Sequence, residues 1–363
     1  MAEPLSRTSV LADRHKALGS GLEDWNGMGT AWTYATDPDD EHDAVRERVG
    51  MFDMSPLKKI FVRGPDAAAV LDHLTTRDMS RIAPGQAAYL SVLTEAGTMA
   101  DDAIVSNNGG DEWMIVHGSG DTFALLAASA EGHNVSVQFT DELHDISVQG
   151  PRSTEVLERA GAVDIASLAY FHHCLFQLFG RPVRISRTGY SGERGYEIFV
   201  DAAHAGTVWN ELAAAGVMPC SFSALDKMRI EAGLLFYGYD MNTTNTPWEV
   251  GLGFTVSRKK GDFRGRDRLF AIEGKERLRN VGLRVNMSEA APGGAELMHN
   301  NRSVGTVNSP CWSRRLGQSL ALAHVAPDVE MGTVLTLRSG SLEAAATVVQ
   351  MPVHDPAKSR THG

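Results

Sequence analysis

Apolar positions along the chain change period several times, and each change marks an expected element. In "DPDDEHDAVRERVGMFD" the acidic opening suits a helix N-terminus, Ala44, Val45 and Val49 carry the apolar side onward, and Gly50 stops it, so a helix and then a turn are predicted. "LKKIFVRGPDAAAVLDHL" reads as strand, Gly-Pro-Asp turn and helix, and "AAYLSVLTEAGTMADDAIVSNNGGDEWMIVHG" as strands joined by glycine turns. "DISVQGPRSTEVLERAG" repeats the strand, Gly-Pro, helix order, which predicts two related α+β modules. "RPVRISR" alternates Val183 and Ile185 with polar residues and "YEIFV" is densely β-forming, so "RTGYSGERGYEIFV" predicts a hairpin with a tight turn. "DAAHAGTVWNELAAAG" and "SALDKMRIEAGLLFYG" predict helices, the second ending at a glycine. After a basic, glycine-rich junction at 255–275, "RNVGLRVN", "SVGTVNS", "SLALAHV" and "GTVLTLRS" alternate over short spans and predict a small all-β barrel or sandwich.

Composition narrows the class without changing that outline. The 363 residues, 43% hydrophobic and 22% charged, fit a folded protein of two or three domains. A formal net charge of -11 argues against a duplex nucleic-acid binder, and an anionic ligand would need a local cationic pocket. The run Arg258, Lys259, Lys260, Arg264, Arg266 and Arg268 is a candidate for that pocket, or else a solvated linker. Cys174, Cys220 and Cys311 are widely spaced with no CxxC, so neither a disulfide framework nor a zinc knuckle is expected. The N-terminus lacks an apolar leader-like stretch and no apolar run reaches about eighteen residues, which predicts a cytoplasmic protein with no membrane span.

Candidate chemistry is sparse. There is no GxGxxG after a strand, no Walker A motif and no HExxH; "GYSGE" misses the nucleophile elbow; and the adjacent His172 and His173 point to different sides of any regular element, so no metal site is expected. What remains is carboxylates and tyrosines beside glycine turns. Strand alternation would put one of Asp101 and Asp102 inward, where burial could tune its pKa for proton handling. The "GYSGERG" segment is compatible with a plain surface hairpin, its glycines supplying positive φ and its Glu193 and Arg194 solvated. Trp32, Tyr237, Tyr239 and Trp248 are aromatic candidates for either a pocket or a core.

Taken in order, "MFDMS", "GPDA", "TEAGTMADDAIV", "VQGP", "RTGYSGERGYEI", "MRIEAGLLFYG", "TPWEVGLGF" and "KGDFRGRDRL" resemble the glycine-cleavage T-protein (aminomethyltransferase) family from about residue 40 onward. The resemblance implies an α+β, three-domain cloverleaf around a central folate channel. Its parts would be a discontinuous folate-binding domain (1–50 and 145–260), a domain carrying the catalytic Asp (51–144) and an all-β domain (270–363). It also implies tetrahydrofolate as the one-carbon acceptor, with Asp102 catalytic and Tyr89, Tyr190 and Glu197 forming the pterin site. Exchange at Asp102 should then slow turnover far more than exchange at Asp101. The chain departs from the aminomethyltransferases at Ala224-Leu225-Asp226, where the family has an arginine in the middle, and at His117-Gly118. "ALD" before "MRIE" is closer to the folate domains of sarcosine and dimethylglycine dehydrogenases. These departures imply a tetrahydrofolate-dependent demethylase acting on a small N-, O- or S-methyl compound and leaving 5-methyltetrahydrofolate. The alternatives are an aminomethyltransferase served by a lipoyl carrier protein, or a folate-binding module without turnover.

Overall fold

The acidic segment of the pattern behaves as expected up to a point. In a computed structural model that describes residues 5–363, the helix Pro38–Glu47 starts on Asp37, whose carboxylate accepts from the Asp39 amide at 2.8 Å, with Pro38 in the first turn. Where the sequence suggested a turn, Gly50–Asp53 is a strand. Gly50 is needed there because a Cβ would collide with Val45 and Cys220.

That strand enters a six-stranded sheet in the order His173–Leu178, Arg181–Ser186, Gly195–Asp201, Leu143–Gln149, Gly50–Asp53, Met218–Pro219. Side chains alternate across it. Ile146, Val148, Tyr196, Ile198 and Val200 face a core shared with Val156 and Leu157 of helix Ser153–Arg159 and Val208, Trp209 and Leu212 of helix Ala202–Ala214. The opposite face carries Asp145, Ser147, Gln149 and Glu197, all nearly inaccessible to solvent. A sheet face that is polar and yet buried is unlike an ordinary solvated one.

The second sheet runs Ala87–Leu93, Met99–Gly109, Glu112–His117, Lys58–Arg63, Ser136–Thr140, and packs on helices Ala67–Leu74 and Thr122–Ala130. Met114 and Val116 of this sheet meet Phe199 of the first, so the two units share a small apolar contact. The C-terminal part is a closed six-stranded barrel, Arg279–Val285, Gln318–Val325, Arg302–Ser313, Glu296–His299, Val334–Ser339, Leu342–Val349. Closure leaves it without a free edge. The helix predicted over "SALDKMRIEAGLLFYG" is Phe222–Glu231, and the residues beyond Gly233 are a loop. No described helix is long and apolar enough to cross a membrane.

One buried charge network joins helix Pro38–Glu47, helix Phe222–Glu231, the loop before Gly195 and the barrel. Arg46, with its side chain fully buried, donates to Glu231 Oε2 at 2.6 Å, Glu193 Oε1 at 3.0 Å and the Ser191 carbonyl at 2.6 Å. Glu231 also accepts from Ser313 of the barrel at 2.5 Å and bonds His42 at 2.9 Å. Glu193 in turn bonds His354 at 2.9 Å and Arg360 at 2.7 Å. Burial alone would raise the Glu231 pKa, but the His42 bond and the Arg46 charge outweigh it and hold it at about 2. A depressed carboxyl stabilises the fold above its unfolded pKa of about 4.3, and that stabilisation is lost as the pH falls toward about 2. We expect Arg46→Met to lose about 3–5 kcal/mol of unfolding free energy at neutral pH, because buried Glu231 loses its guanidinium and Glu193 one of its two. Urea melts from pH 7 to 3 should also show a shallower acid limb in the variant, and superimposable curves would remove the network from its structural role.

Candidate functional site

Asp101 and Asp102 are consecutive on strand Met99–Gly109 and face opposite ways, as alternation requires. Asp101 is the fully buried one. Its Oδ2 accepts from Thr122 Oγ1 at 2.6 Å and bonds His117 Nδ1 at 2.8 Å, while Oδ1 accepts the Asp102 amide at 2.9 Å. Gly120 lies against it so closely that a Cβ would overlap the carboxylate. Asp101 is therefore a framework residue rather than a solvated bystander, and His117, one of the departures from the family pattern, is part of that framework.

Asp102 points to the other face and accepts one side-chain hydrogen bond, from the Tyr89 hydroxyl at 2.9 Å. The register makes them diagonal neighbours, Ser91 standing opposite Asp102 and Tyr89 opposite Ile104. The Tyr89 ring stacks 6.4 Å from Phe254, which is 64% exposed, so the pair lies close to a solvent-facing aromatic. Burial, and next the charge of Asp101, push Asp102 up to about 7, while the Tyr89 bond works in the opposite direction. A carboxyl poised there can both take and return a proton at neutral pH.

The predicted tight turn is instead a loop, residues 187–194, between strands Arg181–Ser186 and Gly195–Asp201. It is built around the buried amide of Gln149. Ser191 Oγ donates to Gln149 Oε1 at 2.7 Å, and Gln149 Nε2 donates to the Thr188 carbonyl at 3.2 Å and Ser147 Oγ at 3.0 Å. Gly189 and Gly195 flank that amide where any Cβ would overlap it; of the three glycines only Gly192, at φ 76°, supplies a positive φ. Glu193 is buried in the Arg46 network and Arg194 bonds Tyr196 Oη at 3.1 Å and the Ala166 carbonyl at 2.9 Å, which excludes the solvated-hairpin reading.

This loop aims two of the expected residues. The Tyr190 hydroxyl donates to the Leu235 carbonyl, and its pKa is raised well above the usual value by burial, with Asp240 and Asp102 adding to it against Arg229. Glu197 is buried and accepts from Thr188 Oγ1, with burial raising its pKa. Thus Tyr89 and Asp102 touch, Tyr190 lies within electrostatic reach of both, and Glu197 stands apart on the polar face of the six-stranded sheet, without a bond to the other three.

Sequence reasoning missed the segment that fixes this loop. Arg187 Nη2 donates to the carbonyls of His362 at 3.0 Å and Gly363 at 2.8 Å, and Thr361 Oγ1 donates to the Gly192 carbonyl at 3.0 Å. Nothing in the residue types of "HDPAKSRTHG" announces that role. The basic run is also mostly spoken for. Lys260 Nζ is buried and donates to the carbonyls of Thr75 at 2.8 Å and Arg77 at 2.7 Å, Arg264 bonds Glu95 and Ser129, and Arg258 pairs with Glu273. Leu225 is 3% exposed among Phe52, Phe222 and Met228, so an apolar contact occupies the position of the missing arginine. Trp248 donates to the Leu269 carbonyl at 3.1 Å in the junction, whereas Trp25, Phe236 and the 61% exposed Tyr239 form an aromatic series beside Leu235.

The two sheet-and-helix units and the closed barrel are shared with known proteins whose names point to a one-carbon transferase. Residues 11–260 match the GCVT N-terminal domain and 279–355 the glycine cleavage T-protein C-terminal barrel domain, and the chain belongs to that T-protein family. It is 45% identical to the heme-dependent oxidative N-demethylase gamma subunit of Ectopseudomonas mendocina, over 98% of this chain and 97% of that one. It is 35% identical to an aminomethyltransferase of Synechococcus elongatus, over 88% and 89% of the two chains. The crystal structure of the aminomethyltransferase T of Bartonella henselae superposes with a TM-score of 0.89 at 26% identity, covering 96% of this chain and 98% of that one.

Asp101 and Tyr89 act on Asp102 in opposite directions, and each effect can be tested by substitution. Tyr89→Phe should raise the Asp102 midpoint by roughly one unit, the scale of one lost hydrogen bond to a charged group. Asp101→Asn should lower it by removing a like charge, and should cost about 1–3 kcal/mol of stability because the amide's single oxygen cannot serve both the His117–Thr122 side and the Asp102 amide. Carboxyl-resolved NMR titration reads both shifts; an unmoved midpoint in both variants would mean that the three groups are not coupled in solution.

Proposed function

We propose that the protein is a tetrahydrofolate-dependent one-carbon transferase that receives the carbon of an N-methyl group removed from a small methylated amine. The observation that carries this reading is Asp102, half-buried, bonded to Tyr89 and poised at about 7. The names of the relatives agree on nitrogen-borne carbon: one is an oxidative N-demethylase subunit, another an aminomethyltransferase. The residues present fit a pterin. Its edge offers a ring N–H beside an exocyclic amine, and Glu197 is a buried carboxylate whose only side-chain hydrogen bond among the described residues is to Thr188, leaving acceptor positions free for such a fork. Tyr89 and Tyr190 offer flat, partly dry surfaces with a polar tip.

Tetrahydrofolate, when bound, supplies the nucleophilic nitrogens that take the carbon. The chain's own task is to bind, align and move protons. Glu197 would hold the pterin edge, the loop 187–194 would fix Tyr190 against it, and Asp102, kept in place by Tyr89, would accept or return the proton exchanged at the reacting nitrogen. Alignment of this kind can supply up to about 7–11 kcal/mol in favourable cases. The oxidation level follows from the companion chemistry. Oxidative removal of an N-methyl group delivers its carbon at the formaldehyde level, so the expected product is 5,10-methylenetetrahydrofolate and the expected partners are the subunits that oxidise the amine. Direct transfer of an intact methyl group would leave 5-methyltetrahydrofolate.

Incubation with tetrahydrofolate and either formaldehyde or a panel of N-, O- and S-methyl donors, followed by mass analysis, tests the reading. We expect 5,10-methylenetetrahydrofolate to form faster than in the uncatalysed condensation, and far more slowly with Asp102→Asn. A 5-methyl product would return the direct demethylase, a product requiring a lipoyl carrier would point to the aminomethyltransferase reading, and no product above background would leave a folate binder. Glu197→Ala should weaken folate binding by about 1.5–3 kcal/mol while the fold survives; unchanged affinity in titration calorimetry would take Glu197 out of the pterin site.

A further inference from the structure

Arg77 and Arg81 follow helix Ala67–Leu74, the second of them closing the short 3-10 turn Met79–Arg81. Among the described residues neither pairs with a carboxylate, although the chain carries 45 acidic side chains against 34 Lys and Arg. The acids nearest in the chain are committed elsewhere. Asp78 accepts from the Ser80 amide at 3.1 Å and Ser80 Oγ at 2.6 Å, and Asp72 accepts from the Met79 amide at 2.9 Å and lies 3.2 Å from Lys260 Nζ. Arg77 is half-buried and Arg81 exposed. The pKa of Arg77 is lowered, by burial first and next by the charge of Arg81, so the two guanidiniums lie close enough to oppose each other. An anion set between them would relieve that opposition.

The place is built, and it adjoins Asp102. Arg77 Nε donates to the Tyr89 carbonyl at 3.0 Å, which fixes the guanidinium and leaves both Nη groups without a partner among the described residues. Its central carbon stands 5.9 Å from the ring centroid of Phe254, the exposed aromatic on which Tyr89 stacks. Tyr89 in turn donates to Asp102. Phe254, in the short turn Gly253–Thr255, is held there by three bonds. Thr255 Oγ1 and Ser91 Oγ are 2.9 Å apart, the Ser257 amide donates to the Thr76 carbonyl at 2.9 Å, and Lys260 Nζ donates to the Arg77 carbonyl at 2.7 Å. A rigid backbone frame thus presents an uncovered ring and two unpaired cations side by side.

We propose that Phe254, Arg77 and Arg81 form a subsite for the tail of the folate, and that the chain takes folates carrying more than one glutamate. The inference rests on the folate reading. With the pterin edge on Glu197 and the reacting nitrogens at Asp102, the aryl ring that one of those nitrogens bears lies beside Asp102, where Tyr89 and Phe254 offer flat apolar surface. The carboxylates come next along the ligand. Arg77, anchored and half-buried, meets the first of them, and its planar fork matches a carboxylate. Arg81, exposed and farther out, meets a carboxylate of a later glutamate. The cationic patch that a chain of net charge -11 needs for such a ligand is then on this turn, and not in the basic run whose members are bound to carbonyls and acids.

Titration calorimetry on the whole chain tests this with three ligands: tetrahydrofolate with one glutamate, the same with three, and tetrahydropterin, which has no tail. At low salt the triglutamate should bind roughly fivefold more tightly than the monoglutamate, the scale of one partly exposed ion pair, and added salt should shrink that advantage. Arg81→Gln should remove most of it, Arg77→Gln should weaken both folates, and Arg302→Gln, on the barrel, should change neither. Should Arg77→Gln fail to fold, the exposed Arg81 still decides the matter. Equal affinity for one and three glutamates in the parent overturns the subsite and leaves the folate reading in place. An advantage that survives both substitutions also overturns it, and leaves Arg77, Arg81 and Phe254 as a surface for another protein. A parent that binds neither folates nor tetrahydropterin overturns the folate reading, and the subsite with it.

Discussion

One guanidinium without access to water ties the six-stranded unit to the helix and barrel that follow it. Arg46 is on the first long helix, yet its donors end on Glu231 of a later helix and on Glu193 and Ser191 of the loop that bears Tyr190. Desolvating such a group is expensive, and only a set of near-ideal partners makes it tolerable. Those partners reach beyond the six-stranded unit: Ser313 brings in the barrel, and His354 and Arg360 bring in the segment beyond it. The loop is consequently as fixed as a core element, although it has no regular secondary structure. A ligand meeting Tyr190 meets a side chain whose support is already in place, the condition for pre-organised recognition.

The same economy of placement separates two adjacent aspartates. One faces three donors on the interior side of its strand; the other faces a single tyrosine on the side nearer Phe254. Only the second keeps acceptor capacity for something outside the protein. Their separation needs no special backbone, since the two-residue period of a strand turns neighbours into opposites.

Much of this was legible in the residues. Alternation and turn chemistry placed the Gly-Pro repeat, most barrel strands and the helices at 67–74, 153–159 and 202–214, because local pattern and tertiary burial agree there. Strand Gly50–Asp53 escaped because its residues are buried on both faces and show no alternation. The short barrel strand Glu296–His299 gives too few residues for a period to register. At the site, Tyr89 and Asp102 could be paired by motif, but the buried polar sheet face could not be foreseen: a carboxylate in "DISVQ" has no local signature, and only the register sets Asp145 on the same face as Glu197. The "GYSGERG" glycines were read as turn formers, whereas two of them exist to let the Gln149 amide through, a long-range contact that no local rule encodes.

The strand Gly50–Asp53 pairs with Leu143–Gln149, and the whole five-stranded sheet is threaded between them. That arrangement carries a cost in time rather than in stability. The six-stranded sheet closes only after a long stretch of chain has already been drawn compact, since a loop of that length resists closure while it is unfolded. The inserted unit, with its own core, is the natural first body to form, and its folding delivers the two strands to each other. The place of Gly50–Asp53 in the six-stranded sheet is thus filled late, once the inserted unit has condensed and brought that strand to Leu143–Gln149.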